Sequence, residues 1–296
     1  IIPPLAVASA SHPFQMLASG PLIAFGLAAT LLPFWLYATL RLLDALATRE
    51  HLVKWIIWFF VTAGVCMFAH PRIVFTWLLL MAPFVLTRLP WKAIAGLAGV
   101  VVLGAAVFLV YMMSSYKSDR YFNPASWFHT FVPNRTVPEA LKIYVTDNIG
   151  GVQGWFMAAI VLIAFAVTVA AIIRPQWFAA NRADSATVPG ASAIDRASDS
   201  RNRKPSVSYR TPRSDASQLR RDAIAILLAF FLVGLVYVCS TALTGWFPNI
   251  VAAAWYRAET RPLTMIPFGV LPLIVFAAVV LLRAGCLPNV TKIIAI

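Results

Sequence analysis

Three arginines are the residues of this sequence best suited to bind a phosphate group. Arg257 and Arg261 are four residues apart, so a continuous helix would place both on one side. Arg72 is the only charged residue between Trp55 and Thr87, and a charge held among apolar spans is a functional candidate. Arginine can donate two parallel hydrogen bonds to a phosphate, which lysine cannot match. The candidate supporting residues are their neighbours in the sequence, His70, Trp255, Tyr256 and Glu259.

Each candidate also has an ordinary structural explanation. Arg257 and Arg261 precede an apolar run and lie near tryptophan and tyrosine, so they would equally serve as membrane anchors that reach lipid headgroups. Arg72 would then be a simple loop residue. Glu259 lies between Arg257 and Arg261, where it would balance their charge. Lysine would replace a membrane anchor at little cost, but it would not replace a bidentate phosphate ligand.

No motif of an active site or a metal centre accompanies the arginines. The sequence has no HExxH, GxSxG or DxD pattern and no glycine-rich phosphate loop. The three cysteines are isolated, and we predict that they are buried small hydrophobic residues. We therefore predict no cofactor and no metal. Nothing selects a catalytic base among the carboxylates predicted to face outward, Asp119, Glu139, Asp147 and Glu259.

The composition is that of a membrane protein. Hydrophobic residues make up 60% of the 296 residues and charged residues 12%, against about 25% charged residues in a soluble domain. We predict a multi-pass integral membrane protein in contact with membrane lipid. The net charge of +13 does not indicate nucleic-acid binding, because the sequence shows no folded basic surface. Anionic headgroups and the orientation of the spans explain the basic loops.

The sequence contains seven apolar runs, several of which approach the length needed to cross a bilayer, about 20 helical residues for about 30 Å of hydrocarbon. They predict an all-α transmembrane bundle of about seven spans. The second and third runs are short and joined by residues 70–72, so they would form either two tight spans or a dipping hairpin. The runs are residues 21–40, 53–69, 73–87, 93–113, 154–173, 223–243 and 263–282.

A long basic segment, residues 174–222, separates a first part of the bundle at 1–173 from its last two spans within 223–296. The segment holds ten arginine or lysine residues, five aspartates and few large apolar residues, so we predict a disordered cytoplasmic loop. With seven spans, this orientation puts 17 basic residues inside and seven outside. The N-terminus and the three candidate arginines would then lie outside.

Two predicted outer segments, residues 114–153 and 244–262, are longer than simple connections. Dense aromatic residues in the first segment predict that it lies on the outer membrane interface. The second segment is predicted to contain a short helix that Asn249 caps and Pro262 ends.

A surface helix is predicted at residues 138–147 of the first outer segment. Thr136 and Glu139 have the spacing of a capping box, and Pro138 suits the first helical turn. Side chains three or four residues apart share one side of a helix. The predicted apolar face therefore consists of Leu141, Tyr144 and Val145.

Two sequence stretches carry a resemblance to a known class. They are AHPR, between two short spans, and WFPNIVAAAWYRAETRPLTMIPFGVLPL, which leads into the last span. Over about residues 20–283, the chain resembles actinobacterial polytopic membrane proteins with the glycosyltransferase-C type of fold. The residues that match motifs of that class are His70, Pro71, Trp255, Tyr256, and Arg257 or Arg261.

The resemblance implies a glycosyltransferase of cell-envelope assembly that acts on the outer face of a bacterial plasma membrane. Its donor would be a polyprenyl-phosphate-linked sugar, and its acceptor would be an envelope glycan. The catalytic carboxylate of that class lies in a first outer loop, which this sequence does not contain. Either the chain is an N-terminally truncated piece of a larger enzyme, or it is not an enzyme. A transporter or flippase of lipid-linked or amphipathic cargo and a non-catalytic membrane subunit remain open alternatives.

Overall fold

The computed structural model describes residues 22–115, 132–179, 212–255 and 259–284. All regular elements within these ranges are helical. In chain order the helices are α1 (Ile23–Thr48), α2 (Leu52–Ala69), α3 (Ile73–Arg88), α4 (Trp91–Ser115), α5 (Val137–Val145), α6 (Gly151–Ile173), α7 (Gln176–Ala179), α8 (Pro212–Thr241), α9 (Trp246–Ala252), α10 (Thr260–Leu263) and α11 (Ile266–Arg283). A 3₁₀ turn, Ala253–Trp255, follows α9.

Apolar helices long enough to cross a membrane dominate the described part of the chain. Five such stretches occur there: α1, α2, α6, Ala216–Thr241 of α8, and Thr260–Arg283. Two shorter apolar stretches are α3 and Trp91–Gly104 of α4. Large apolar side chains such as Phe60 and Phe68 of α2 point outward, where lipid would cover them. The protein is an all-α polytopic membrane bundle, which confirms the predicted fold class.

Helix α8 is the centre of the bundle. Helices α3, α6 and α11 pack along it, and the short helices α5 and α9 also contact it. Its fully buried side chains include Val233, Val236 and Tyr237. Helix α1 packs against α2 and α3. Because α8 touches helices from both parts of the chain, it brings together residues that lie far apart in the sequence.

Helix α3 runs from one end of the bundle to the other. It begins after Arg72 and ends at Arg88, which forms salt bridges with Asp44 of α1 at 3.0 Å and with Asp222 of α8 at 2.7 Å. Its 16 residues extend about 24 Å at the helical rise of about 1.5 Å per residue. This length is less than the hydrocarbon thickness of a bilayer, about 30 Å, and α3 is one of the shorter apolar helices, so two tight spans and a dipping hairpin both stay open for α2 and α3. The two ends of the bundle are named the Arg72 end and the Arg88 end below.

The predicted disordered loop at residues 174–222 is helical at both of its ends. Helix α7 occupies Gln176–Ala179, and α8 already begins at Pro212, before the apolar span. The salt bridge from Arg88 to Asp222 attaches this polar start of α8 to the bundle. Residues 180–211 lie outside the described residues, so the disorder predicted for them stays a prediction.

The capping-box helix forms where the sequence predicts it, as α5. The Oγ1 atom of Thr136 accepts a hydrogen bond from the backbone N–H of Glu139 at 3.4 Å. In return, the carboxylate of Glu139 accepts one from the backbone N–H of Thr136 at 2.8 Å. The hydrogen bond from this backbone N–H lowers the pKa of Glu139. Two backbone donors at the start of α5 are therefore satisfied, as the pattern requires.

The buried face of α5 differs from the predicted one. Tyr144 is 3% exposed, but Leu141, which was predicted to share its face, is 48% exposed. The ring of Tyr144 lies against α8 and α11 at two glycines. A Cβ atom at Gly234 would lie 2.9 Å from the ring, and one at Gly269 would lie 2.6 Å from the hydroxyl oxygen. The hydroxyl group donates to the carbonyl of Phe230, so α5 is anchored in the bundle through Tyr144.

The predicted cap and stop of the second outer segment are wrong. Asn249 lies inside α9, and the residue before this helix is Gly245, whose φ of 108° favours glycine. Pro262 lies inside the four-residue helix α10 instead of ending a helix. Proline is tolerated there because the first turn of a helix leaves its backbone N–H groups without helical partners.

Replacing Thr136 by alanine should loosen α5 without unfolding the bundle. The substitution removes the side-chain acceptor of the Glu139 N–H, which typically costs about 1 kcal/mol at a helix N-cap. Amide hydrogen exchange across residues 137–145 should become faster. The control, Thr136→Ser, keeps the acceptor and should exchange like the wild type. Equal exchange in Thr136→Ala and the wild type would show that the cap does not stabilise α5.

Candidate anion-binding site

The Arg72 end of the bundle brings together three of the predicted site residues. His70 follows α2, Arg72 precedes α3, and Arg261 lies in α10. The positive charges of Arg261 and Arg72 both act on the imidazole of His70. The structure therefore gathers His70, Arg72 and Arg261, called the arginine group below, although Arg261 is distant from the other two in the sequence.

The imidazole of His70 is partly buried at this end of the bundle. It stands edge-on to the ring of Phe25 in α1, with the two ring centroids 5.2 Å apart. Burial lowers the pKa of His70, and the positive charges of Arg261 and Arg72 lower it further. Because the ordinary pKa of histidine is about 6.5, the ring is neutral at neutral pH. The positive charge of the arginine group therefore comes from its arginines.

Both arginines of the group are partly buried. The Nη1 atom of Arg72 lies 3.5 Å from the carbonyl oxygen of Ala254, a long contact that links α3 to the segment before α10. The Nε atom of Arg261 is shielded from solvent, and the following residues Pro262 and Leu263 are buried. A guanidinium group partly removed from water attracts an anion more strongly than an exposed one. The arrangement is therefore suited to binding an anion at the end of the spans.

Glu259 belongs to a second polar group beside the arginine group. Its Oε1 atom lies 3.0 Å from Nε of Arg135 and accepts a hydrogen bond from the Tyr237 hydroxyl at 3.2 Å. Its Oε2 atom accepts a hydrogen bond from the side-chain amide of Asn134. The carboxylate raises the pKa of Arg135 through their hydrogen bond. Glu259 thus forms a salt bridge with Arg135, a residue far from it in the sequence.

The backbone of Asn134 and Arg135 is attached to the end of α8. Both backbone N–H groups donate to the carbonyl oxygen of Thr241, at 3.2 and 3.3 Å. Asn134, Arg135 and Tyr237 did not appear among the predicted site residues. The available signal was weak, because Arg135 and Glu259 were both predicted to lie outside but are separated by more than a hundred residues.

Trp255 has a structural role that its sequence motif does not indicate. It is 5% exposed, and its indole N–H donates to Oγ1 of Thr76 in α3 at 3.1 Å. Trp255 therefore anchors the 3₁₀ turn inside the bundle instead of lying in an aromatic belt at the membrane surface. Tyr256 and Arg257 lie outside the described residues, so their part in the site stays a prediction.

The arginine group contains two guanidinium groups and a neutral imidazole. Among the residues that the structure describes, no cluster of His, Cys, Asp or Glu could hold a metal ion. The chemistry available at this end of the bundle is the recognition of an anion by hydrogen bonds to charged donors.

The apolar spans and the helical bundle define the class of this chain as a polytopic membrane protein. It belongs to the family described as "Family of unknown function (DUF6541)", which matches residues 1–289. No curated protein and no solved structure matches the chain.

Proposed function

We propose that the protein is a membrane glycosyltransferase that binds a polyprenyl-phosphate-linked sugar and uses it in cell-envelope glycan assembly. The observation that carries the proposal is the arginine group at one end of an apolar bundle. The site would face the outer side of a bacterial plasma membrane. Arg261 and Arg72 would contact the phosphate, with Arg257 as a further ligand.

A lipid phosphate fits the arginine group by charge and by depth. Arg261 lies at the start of the apolar stretch Thr260–Arg283, and Arg72 lies between two apolar helices. Positions at the ends of apolar helices would lie at the level of lipid headgroups. The prenyl chain of such a ligand would remain in the lipid while its phosphate meets the guanidinium groups. A soluble phosphate compound would lack the contacts of the prenyl chain.

Sugar transfer is the part of the proposal that depends on the sequence resemblance. The segments around His70 and Arg261 carry the resemblance, and they are also the segments that meet at the Arg72 end. In this proposal the described residues supply the donor site. The acceptor would be an envelope glycan.

Movement of a lipid-linked cargo is a second candidate function. Three of the long described helices contain a proline beyond their first turn, at Pro33 of α1, Pro83 of α3 and Pro272 of α11. Proline removes a helical hydrogen bond, and broken helices are common in transporters. Reconstituted protein that moves a labelled polyprenyl-phosphate sugar across vesicles without transferring the sugar would favour this candidate.

Arg261→Ala should weaken the binding of a polyprenyl phosphate to the purified protein in nanodiscs. The loss of a hydrogen bond to a charged group is worth about 1.5–3 kcal/mol, which corresponds to roughly a tenfold to 150-fold higher Kd. Arg72→Ala should act in the same direction. Arg261→Lys should also weaken binding, because lysine lacks the planar fork. Melting temperatures would verify that each variant is folded.

The control variant is Lys142→Ala. Lys142 is an exposed cation of α5 whose ammonium group lies over the Trp155 ring, and it contributes nothing to the arginine group. Its loss should leave binding unchanged. Polyprenol without phosphate and inorganic phosphate are the control ligands, and both should bind much more weakly. Wild-type affinity in both Arg261→Ala and Arg72→Ala would refute the lipid-phosphate site.

A further inference from the structure

We propose that Glu259 is a positioning residue that holds Arg261 in the lipid-phosphate site. It does so by joining the segment before α10 to residues 134–135 and to α8. The inference rests on the proposed lipid-phosphate site and gives a role to an acid that lies beside it. The four residues Asn134, Arg135, Tyr237 and Glu259 are called the clasp below.

The clasp connects three separate parts of the chain through one carboxylate. Both oxygen atoms of Glu259 are used: Oε1 meets Arg135 at 3.0 Å and the Tyr237 hydroxyl at 3.2 Å, and Oε2 meets the side chain of Asn134. Residues 134–135 are in turn fixed to the end of α8 through the carbonyl of Thr241. Because Tyr237 is fully buried in α8, the clasp is attached to the most enclosed helix of the bundle.

The backbone of Glu259 determines where α10 begins. Its carbonyl oxygen accepts a hydrogen bond from the N–H of Leu263 at 2.9 Å, and Arg261 lies within this single turn. A turn of four residues has little stability of its own, so its direction depends on what holds its ends. Leu263 is buried at one end, and Glu259 is held by the clasp at the other. The backbone position of Arg261 therefore depends on the clasp.

The positioning role and a simple charge effect predict opposite results for Glu259→Gln. Glutamine removes a negative charge near two arginines, so electrostatics alone would strengthen anion binding. The same substitution removes the salt bridge to Arg135 and exchanges a carboxylate oxygen for an amide nitrogen that cannot accept the hydrogen bonds of the clasp. If the clasp positions Arg261, binding becomes weaker although the site becomes more positive.

The test measures the binding of a polyprenyl phosphate to wild type, Glu259→Gln and Tyr237→Phe in nanodiscs. We expect a Kd about tenfold higher for Glu259→Gln, which corresponds to about 1.4 kcal/mol. Tyr237→Phe leaves all charges unchanged and removes one donor of the clasp, so a smaller increase is expected. Hydrogen exchange should become faster at residues 134–136 and at the amide of Leu263, which donates to the carbonyl of Glu259, in Glu259→Gln. Lys142→Ala should change neither measurement.

Each outcome separates the clasp from the lipid-phosphate site. Unchanged or tighter binding in Glu259→Gln, with Arg261→Ala still weakened, overturns the positioning role and leaves the proposed site standing. Wild-type binding in both Arg261→Ala and Arg72→Ala overturns the proposed site, and the positioning role falls with it. Unchanged exchange at the Leu263 amide in Glu259→Gln overturns the clasp whatever the lipid measurements give. If Glu259→Gln does not fold, wild-type affinity in folded Tyr237→Phe overturns the positioning role.

Discussion

Replacing Arg88 by leucine should destabilise the purified protein by about 2 kcal/mol, because two carboxylates then face each other without their shared cation. The side chains of Arg88 and Asp222 are 19% and 25% exposed, so solvent screens the pair only partly. Asp44 is more exposed and contributes less. The expected loss of stability is smaller than that for breaking a fully buried salt bridge, because solvent partly screens these side chains. Thermal or denaturant unfolding in detergent would measure the loss.

Two further variants make the Arg88 experiment specific. Arg283→Leu removes an exposed arginine at the end of α11 and should change stability by less than about 0.5 kcal/mol. Adding Asp222→Asn to Arg88→Leu should restore part of the lost stability, because it removes one of the carboxylates left without a cation. A loss in Arg88→Leu no greater than that in Arg283→Leu would mean that these salt bridges do not hold the Arg88 end together.

Replacing Tyr144 by alanine should destabilise the protein by about 3 kcal/mol, a typical loss for removing a buried aromatic ring. The ring and its hydroxyl group lie against Gly234 of α8 and Gly269 of α11. Its loss leaves a cavity and frees α5 from the bundle. Unfolding measurements would give the total loss, and hydrogen exchange at residues 137–145 would show whether α5 detaches first.

The matched control for Tyr144 lies on the same helix. Leu141→Ala removes an exposed side chain of α5 and should cost much less than Tyr144→Ala. Tyr144→Phe keeps the ring and removes only the hydrogen bond to the carbonyl of Phe230, so a loss of about 1 kcal/mol is expected. Equal losses in Leu141→Ala and Tyr144→Ala would show that Tyr144 does not anchor α5.

Local signals in the sequence predicted the elements of the fold. Each apolar run became a helix, because a backbone in lipid must satisfy its hydrogen bonds within one segment. The capping box predicted α5 because its hydrogen bonds join residues only three positions apart. Local signals failed where a tertiary contact decided the result. Leu141 and Tyr144 looked equivalent on the face of α5, and only the two glycines of other helices decided which one is buried.

The sequence by itself determined that this protein is an all-α membrane bundle and which arginines stand out from its apolar spans. Only the tertiary structure decided the partners of those residues. It joined Arg135 to Glu259 and Trp255 to Thr76, and it gathered His70 with Arg72 and Arg261. The physical reason is that periodicity and capping act within a few residues along the chain. A salt bridge or a hydrogen bond between distant segments depends on helix packing, which no local pattern of residues encodes.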